Sequence, residues 1–134
     1  MVILWVYPMK GSEREDKKML VKMIYTAEDL RNEFVKMGRD YYSYEGYEAI
    51  LNLFEETDCG EPTNLDVIGI CGDFNEEEPE DIMNAYNITI NEMNWSEAVE
   101  ELGEDVAMEK LLDHLNYHTW AQDLGNGNIL YQAL

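Results

Sequence analysis

The last seventeen residues of the chain, HTWAQDLGNGNILYQAL (residues 118–134), are the most informative about its fold. Two runs in which apolar and polar residues alternate are joined by a turn around Asn126-Gly127. An Asn-Gly pair between such runs is the strongest short-range signal of a β-hairpin, because the tight turn needs a positive φ. The sequence therefore predicts a hairpin at this end of the chain and an antiparallel sheet around it.

Two other stretches have the composition of strands. The opening MVILWVY (residues 1–7) is rich in β-branched and aromatic residues and is followed by Pro8. LDVIGICGDF (residues 65–74) is apolar on both faces of an alternating pattern, which is typical of a strand buried on both sides. We therefore expect residues 65–74 to form a central strand, with Gly69 and Gly72 allowing close packing or a bulge.

Helices are predicted where capping residues precede apolar residues at helical spacing. The predicted helices open at Thr26, Ser43, Pro79 and Ser96. Gly38 and Gly60 are expected to end the first two helices, and Gly103 is expected to kink or split the last one.

Together these elements predict an α+β fold: a single domain with a three- to four-stranded, largely antiparallel sheet that three to four amphipathic helices cover. The acidic domain is expected to span residues 23–134. Residues 1–22 are predicted to add an N-terminal strand and a mobile loop, because residues 9–22 are polar, mixed in charge and without periodicity.

The charge of the chain is strongly one-sided. Its 29 acidic residues against nine Lys and Arg give a net charge of -20, and residues 40–109 contain 21 Asp or Glu without one Lys or Arg. The 46% hydrophobic share indicates a folded protein rather than a disordered acidic tail. So few bases disfavour direct binding to nucleic acid or to an anionic membrane, and the seven opening apolar residues are too short to span a bilayer.

Several segments resemble those of small acidic proteins encoded by phages and integrated mobile elements. They are YYSYEGYEAILNLFEE, LDVIGICGDFNEE and the final ILYQAL. The resemblance covers residues 23–134, apart from a helical insertion at about residues 92–117. It implies a phage or mobile-element origin and a cytoplasmic location in the host, where such proteins often inhibit restriction or CRISPR nucleases. It supplies no catalytic motif.

The leading hypothesis is a non-enzymatic inhibitor whose carboxylates occupy the place of nucleic-acid phosphates in a basic groove. The expected partner is a basic nucleic-acid-binding protein such as a Cas nuclease or a restriction enzyme, and tyrosines near the carboxylates would anchor the contact. The candidate partner-binding residues are Glu45, Glu48, Glu55, Glu56, Glu76, Glu77, Glu78, Glu97, Glu100, Glu101, Glu104, Asp105, Tyr41, Tyr42 and Tyr44.

The alternative is a phage-encoded adaptor that docks through its sheet edge or its tyrosines, with the acidity serving solubility alone. In that case one or two of the tyrosines belong to the core and the rest lie at its rim. A small hydrolase or metalloenzyme is a third hypothesis, although no pair of carboxylates stands out. No cofactor is expected, and the sequence leaves the oligomeric state open.

Three groups of residues have side chains that could form a metal or thiol site. Asp73, Asn75, Glu77 and Asp81 offer alternating oxygens, but Glu78 occupies the glycine position of a calcium loop, so acids at a helix start explain them better. His114 and His118 have zinc-binding spacing, yet a helix ending near Tyr117 would separate their rings. Cys59 and Cys71 are expected to be free thiols, with Cys71 a small core residue. No metal site is therefore predicted.

Overall fold

A computed structural model describes residues 2–6, 20–57 and 62–134, with no side-chain placement given for Leu20. The chain divides into two compact units, Met1–Gly72 and Asp73–Leu134. The predicted α+β class is confirmed, because helices accompany largely antiparallel strands in both units. The described strands form two sheets of three strands each, whereas the sequence predicts one sheet.

The first unit contains a sheet with the order β2-β1-β3. Its elements are β1 (Val2–Val6), β2 (Leu20–Ile24), α1 (Ala27–Lys36), α2 (Tyr44–Glu56), β3 (Thr63–Asn64) and α3 (Val67–Asp73), the last of which ends at the unit boundary. β1 is the middle strand, antiparallel to β2 and parallel to β3. Its alternate residues Val2, Leu4 and Val6 are buried, so this strand supplies part of the core.

The polar segment before α1 matches its prediction only in part. Residues 9–19 of the predicted mobile loop lie outside the described residues. The last three residues of that segment, Leu20 to Lys22, belong to β2, so the loop prediction is wrong there. β2 pairs with β1 along its whole length, a contact with a distant segment that the local composition does not reveal.

The first two helices begin where their caps predict. The Thr26 hydroxyl accepts a hydrogen bond from the Asp29 amide, and the Asp29 carboxylate accepts one from the Thr26 amide, which completes a capping box. The Ser43 hydroxyl accepts a hydrogen bond from the Gly46 amide at the start of α2. α2 ends at Glu56, and its predicted stop at Gly60 lies outside the described residues.

The predicted central strand at residues 65–74 is wrong. Residues Val67–Asp73 form α3, and the chain becomes extended only at Phe74. The Asp66 carboxylate accepts a hydrogen bond from the Gly69 amide at 2.9 Å, as an N-cap residue does. A short apolar run has the same composition in a buried helix and in a buried strand, so its periodicity does not separate the two. Ile68, predicted to be buried, is exposed.

The second unit contains an antiparallel sheet with the order β4-β6-β5. Its elements are β4 (Phe74–Glu77), α4 (Pro79–Tyr86), α5 (Trp95–Leu102), α6 (Glu104–His118), β5 (Ala121–Asp123) and β6 (Ile129–Gln132). The predicted hairpin is confirmed as β5 and β6, with Gly125 and Gly127 at positive φ in the turn. Helix and sheet share one apolar core that includes Ile82, Leu111 and Tyr131.

Gly103 divides the long predicted helix into α5 and α6. Its φ of 89° is accessible to glycine and strained for other residues, so the chain changes direction there. The cap of α5 is Asn94 rather than the predicted Ser96, and Asn94 forms a capping box with Glu97. This split and the unpredicted α3 raise the helices described to six, against three to four predicted.

Candidate functional site

The negative charge is divided unequally between the two units. Residues 1–72 contain fourteen acidic residues and eight bases, which gives a net charge of -6. Residues 73–134 contain fifteen acidic residues and the single base Lys110, which gives -14 with neutral histidines. The second unit therefore carries most of the excess charge, although it is slightly shorter.

Three bases of the first unit, Lys22, Arg31 and Lys36, contact carboxylates of the same unit. Glu33 is 4% exposed and accepts from Lys22 Nζ at 2.8 Å and from Lys36 Nζ at 3.1 Å. Arg31 donates to both carboxylate oxygens of Asp40, and this hydrogen bonding lowers the pKa of Asp40. Between described residues, every ion pair uses one of these three bases.

A set of exposed carboxylates lies along the two consecutive helices α5 and α6. We call it the α5–α6 acidic surface; its members are Glu97, Glu100, Glu101, Glu104, Asp105, Glu109 and Asp113. One Glu97 oxygen accepts a hydrogen bond from the Asn94 amide, so Glu97 also serves the helix cap. Within the described parts of the chain, the other six carboxylates form no ion pair or hydrogen bond. All seven side chains are exposed to solvent.

Five of these seven carboxylates were predicted as partner-binding residues; Glu109 and Asp113 were not. Asp105, Glu109 and Asp113 follow one another at intervals of four residues, so they form one row on α6. That spacing is visible in the sequence, and because the predicted helix already extends to about Tyr117, it could have identified Asp113 as well.

The density of this row can be compared with that of DNA. Residues four apart on an α-helix are separated by about 6 Å along the axis, since the rise is about 1.5 Å per residue. One strand of DNA carries a charge for about every 3.4 Å of axis. A single row on α6 therefore has roughly half the linear charge density of one DNA strand. Both helices must take part if the surface is to replace a nucleic acid.

Glu76 and Glu77, also predicted as partner-binding, lie on β4 and are half-buried. The Glu76 carboxylate accepts a hydrogen bond from Asn128 Nδ2 at 2.8 Å, and the Glu77 carboxylate accepts one from the Tyr131 hydroxyl at 3.0 Å. Both carboxylates therefore bind the C-terminal hairpin of their own unit. The next residue, Glu78, is exposed at the N-cap of α4.

The predicted acidic residues of α2 belong to the first unit. Glu48, Glu55 and Glu56 are exposed, whereas Glu45 is half-buried in the first turn of the helix. The structure thus brings the candidate carboxylates together in separate sets, one on α2 and one on α5 and α6.

The three candidate tyrosines differ in exposure. Tyr42 is buried, its hydroxyl donates to the Ile70 carbonyl, and its ring packs edge-on against Phe34 and Tyr47. Tyr42 is therefore a core residue, and the prediction that it contacts a partner is wrong. Tyr41 is 63% exposed and Tyr44 is 52% exposed, so these two side chains are accessible.

The described residues contain no cluster of three or more His, Cys, Asp or Glu side chains arranged to hold a metal ion. Cys71 is a half-buried free thiol, and burial raises its pKa. A smaller fraction of the side chain is therefore in the reactive thiolate form. Cys59 lies outside the described residues.

Comparison with known proteins adds no family to this picture. Protein-family models, curated proteins and solved structures give no match to this chain. None of the described helices is both long enough and apolar enough to cross a membrane.

Proposed function

We propose that this protein is a non-enzymatic inhibitor that occupies the nucleic-acid-binding site of a host defence nuclease, such as a Cas nuclease or a restriction enzyme, in the cytoplasm of the host. The observation that supports the proposal is the α5–α6 acidic surface. Its carboxylates are exposed, and the second unit has only Lys110 to offset fifteen acidic residues.

The electrostatic cost of this surface supports a role in binding. Glu97 and Glu101 face each other at an interval of four residues, as do Asp105 and Glu109, and each like-charge pair costs about 0.2–0.5 kcal/mol. In a cationic groove, the lysines and arginines of the partner would attract these carboxylates as they attract phosphates. That attraction would offset the repulsion among the carboxylates. In the first unit, in contrast, Lys22, Arg31 and Lys36 lie next to carboxylates of the same unit.

The test is a competition assay between the full-length chain and labelled DNA for a panel of Cas nucleases and restriction enzymes at low ionic strength. The informative variant neutralises five of the seven carboxylates of the surface and spares the cap residue Glu97 and Asp113, which lies beside His114. It carries Glu100→Gln, Glu101→Gln, Glu104→Gln, Asp105→Asn and Glu109→Gln. A control variant neutralises α2 with Glu48→Gln, Glu55→Gln and Glu56→Gln.

We expect the wild-type chain to displace DNA from at least one nuclease, and the α5–α6 variant to lose that activity while the α2 variant keeps it. Equal losses in the two variants would mean that total charge matters rather than this surface. If the wild-type chain displaces DNA from none of the enzymes, the proposal is wrong.

The second candidate function is an adaptor that docks through apolar and aromatic side chains. Two observations favour it: Tyr41 and Tyr44 are exposed, and among the described strands β2 lies at the edge of its sheet, with Val21 and Met23 about half exposed. An unpaired edge strand can accept an added strand from a partner. Binding of this kind would be insensitive to salt, and it would be lost with Met23→Glu rather than with the α5–α6 variant.

A further inference from the structure

The two histidines of the chain lie next to each other at the end of α6. The sequence predicts a helix that stops near Tyr117, but α6 continues through His118, and the Thr119 amide still donates to the Leu115 carbonyl. His114 and His118 are therefore four residues apart on one helix. Their ring centroids are 4.9 Å apart, the ring planes are tilted by 55°, and both side chains are exposed.

This spacing fits two imidazoles bound to one metal ion. Zinc–nitrogen bonds of about 2.0–2.1 Å in a tetrahedral arrangement place two ring centroids roughly 5 Å apart, close to the separation in α6. Histidines at i and i+4 on a helix are also the pair that binds zinc in helical metal motifs. We propose that His114 and His118 form a chelating site for a divalent transition-metal ion of the class that imidazole binds, namely Zn²⁺, Ni²⁺ or Cu²⁺.

Taken together, the charges around the two histidines favour the binding of a cation. His118 is the last residue of α6, where the free carbonyl groups give the helix end a partial negative charge. Asp113 precedes His114, and the unit as a whole carries a charge of -14. Lys110, one turn before His114, opposes binding. Its single charge is small beside the acidic excess of the unit.

There is also space for ligands that the protein does not supply. An open depression of about 290 Å³ adjoins His114 and is lined by Thr89, Ile90, Asn91, Lys110 and Asp113. Two imidazoles fill two of the four positions around a tetrahedral ion, and water can fill the others. The site is thus exposed and exchangeable, unlike a closed structural zinc site.

Neighbouring histidines at a helix end could also serve only to complement the helix dipole, and then they would bind no metal. Titration calorimetry of the full chain with NiCl2 and with ZnCl2 separates the two roles. Excess MgCl2 should be present, because it occupies carboxylates and competes poorly for imidazole. The variants are His114→Ala, His118→Ala and the double substitution. The control is Glu109→Gln, which removes an exposed carboxylate from the same helix.

We expect the wild-type chain to bind one ion, and each single variant to bind it about tenfold or more weakly, because the second contact is no longer intramolecular. The double variant should lose binding, and Glu109→Gln should retain it. Acidification should weaken binding, since the ion needs neutral imidazoles. The metal should also raise the melting temperature of the wild-type chain but not of the double variant.

Equal affinity in the wild-type chain and in the double variant would overturn the proposal, because any metal would then be held by carboxylates. So would a loss in Glu109→Gln as large as the loss in the histidine variants. Both histidines are exposed, so the substitutions should leave the fold intact, which circular dichroism can verify.

Discussion

The two units use similar architectures but treat their charges differently. Each combines a three-stranded sheet with helices. In the first unit, Lys22 and Lys36 surround the buried carboxylate of Glu33, and Arg31 binds Asp40. In the second unit, the carboxylates of α5 and α6 lie in solvent with little positive charge nearby. The described ion pairs stabilise the first unit, whereas the carboxylates of α5 and α6 repel one another, and this difference is the basis for proposing that the second unit binds a cationic partner.

The largest expected effect comes from breaking the charge cluster of the first unit. Glu33→Ala should lower the free energy of unfolding by about 2–3 kcal/mol, below the range for a fully buried pair because both lysines reach solvent. The measurement is denaturation in urea. The matched control is Glu28→Ala, which removes an exposed carboxylate 3.8 Å from Arg31 and should change stability by less than about 0.5 kcal/mol. Similar losses of stability in Glu33→Ala and Glu28→Ala would contradict the claim that the buried carboxylate contributes more to stability than the exposed one.

The next effect is the pH dependence that Asp40 gives to the first unit. Its pKa is lowered, chiefly by the hydrogen bonds from Arg31, with the Tyr47 hydroxyl also donating. A lowered pKa contributes stability that is present above the unfolded value of about 3.9 and is lost as pH falls through the folded value.

Asp40→Asn should therefore lower stability at neutral pH and flatten the decline that sets in as pH falls below about 4. Urea denaturation from neutral to acid pH measures both effects. An acid decline in Asp40→Asn as steep as that of the wild-type chain would show that Asp40 does not contribute to it.

Much of the fold could be predicted because its signals are local. The Asn126-Gly127 turn identified the hairpin, and Thr26 identified the start of α1. Residues 65–74 were misassigned because an apolar run carries no periodicity that separates a short helix from a strand. The informative residue is Asp66, whose side chain caps α3 although its position in the sequence also fits a strand.

The candidate site was predictable to a similar degree. Exposure of the α5 and α6 carboxylates follows from helical spacing, which the sequence shows. The hydrogen bonds of Glu76 and Glu77 depend on β4 pairing with a strand more than fifty residues away, which no local pattern specifies. The two histidine rings could be predicted to lie together only if α6 included His118, and helix ends are uncertain by one or two residues.

The smallest expected effect is in the second unit, where neutralising a carboxylate should raise the free energy of unfolding rather than lower it. Glu109 lies between Asp105 and Asp113 at intervals of four residues, so Glu109→Gln should relieve two like-charge pairs and raise stability by about 0.5 kcal/mol. The control is Glu80→Gln. Glu80 lies in the first turn of α4, where a carboxylate complements the helix dipole, so its loss should lower stability by a few tenths of a kcal/mol. Destabilisation by Glu109→Gln, measured in urea, would contradict the account of this surface.

The most direct test of the central claim is the salt dependence of inhibition for a nuclease that the protein displaces from DNA. The concentration of wild-type protein needed for half-maximal inhibition should rise steeply with NaCl, because salt screens charges across the contact. The α2 variant should show the same slope, and the α5–α6 variant should inhibit weakly with a shallow slope. Inhibition by the α5–α6 variant at the wild-type concentration in low salt would contradict the claim that these carboxylates occupy a nucleic-acid site.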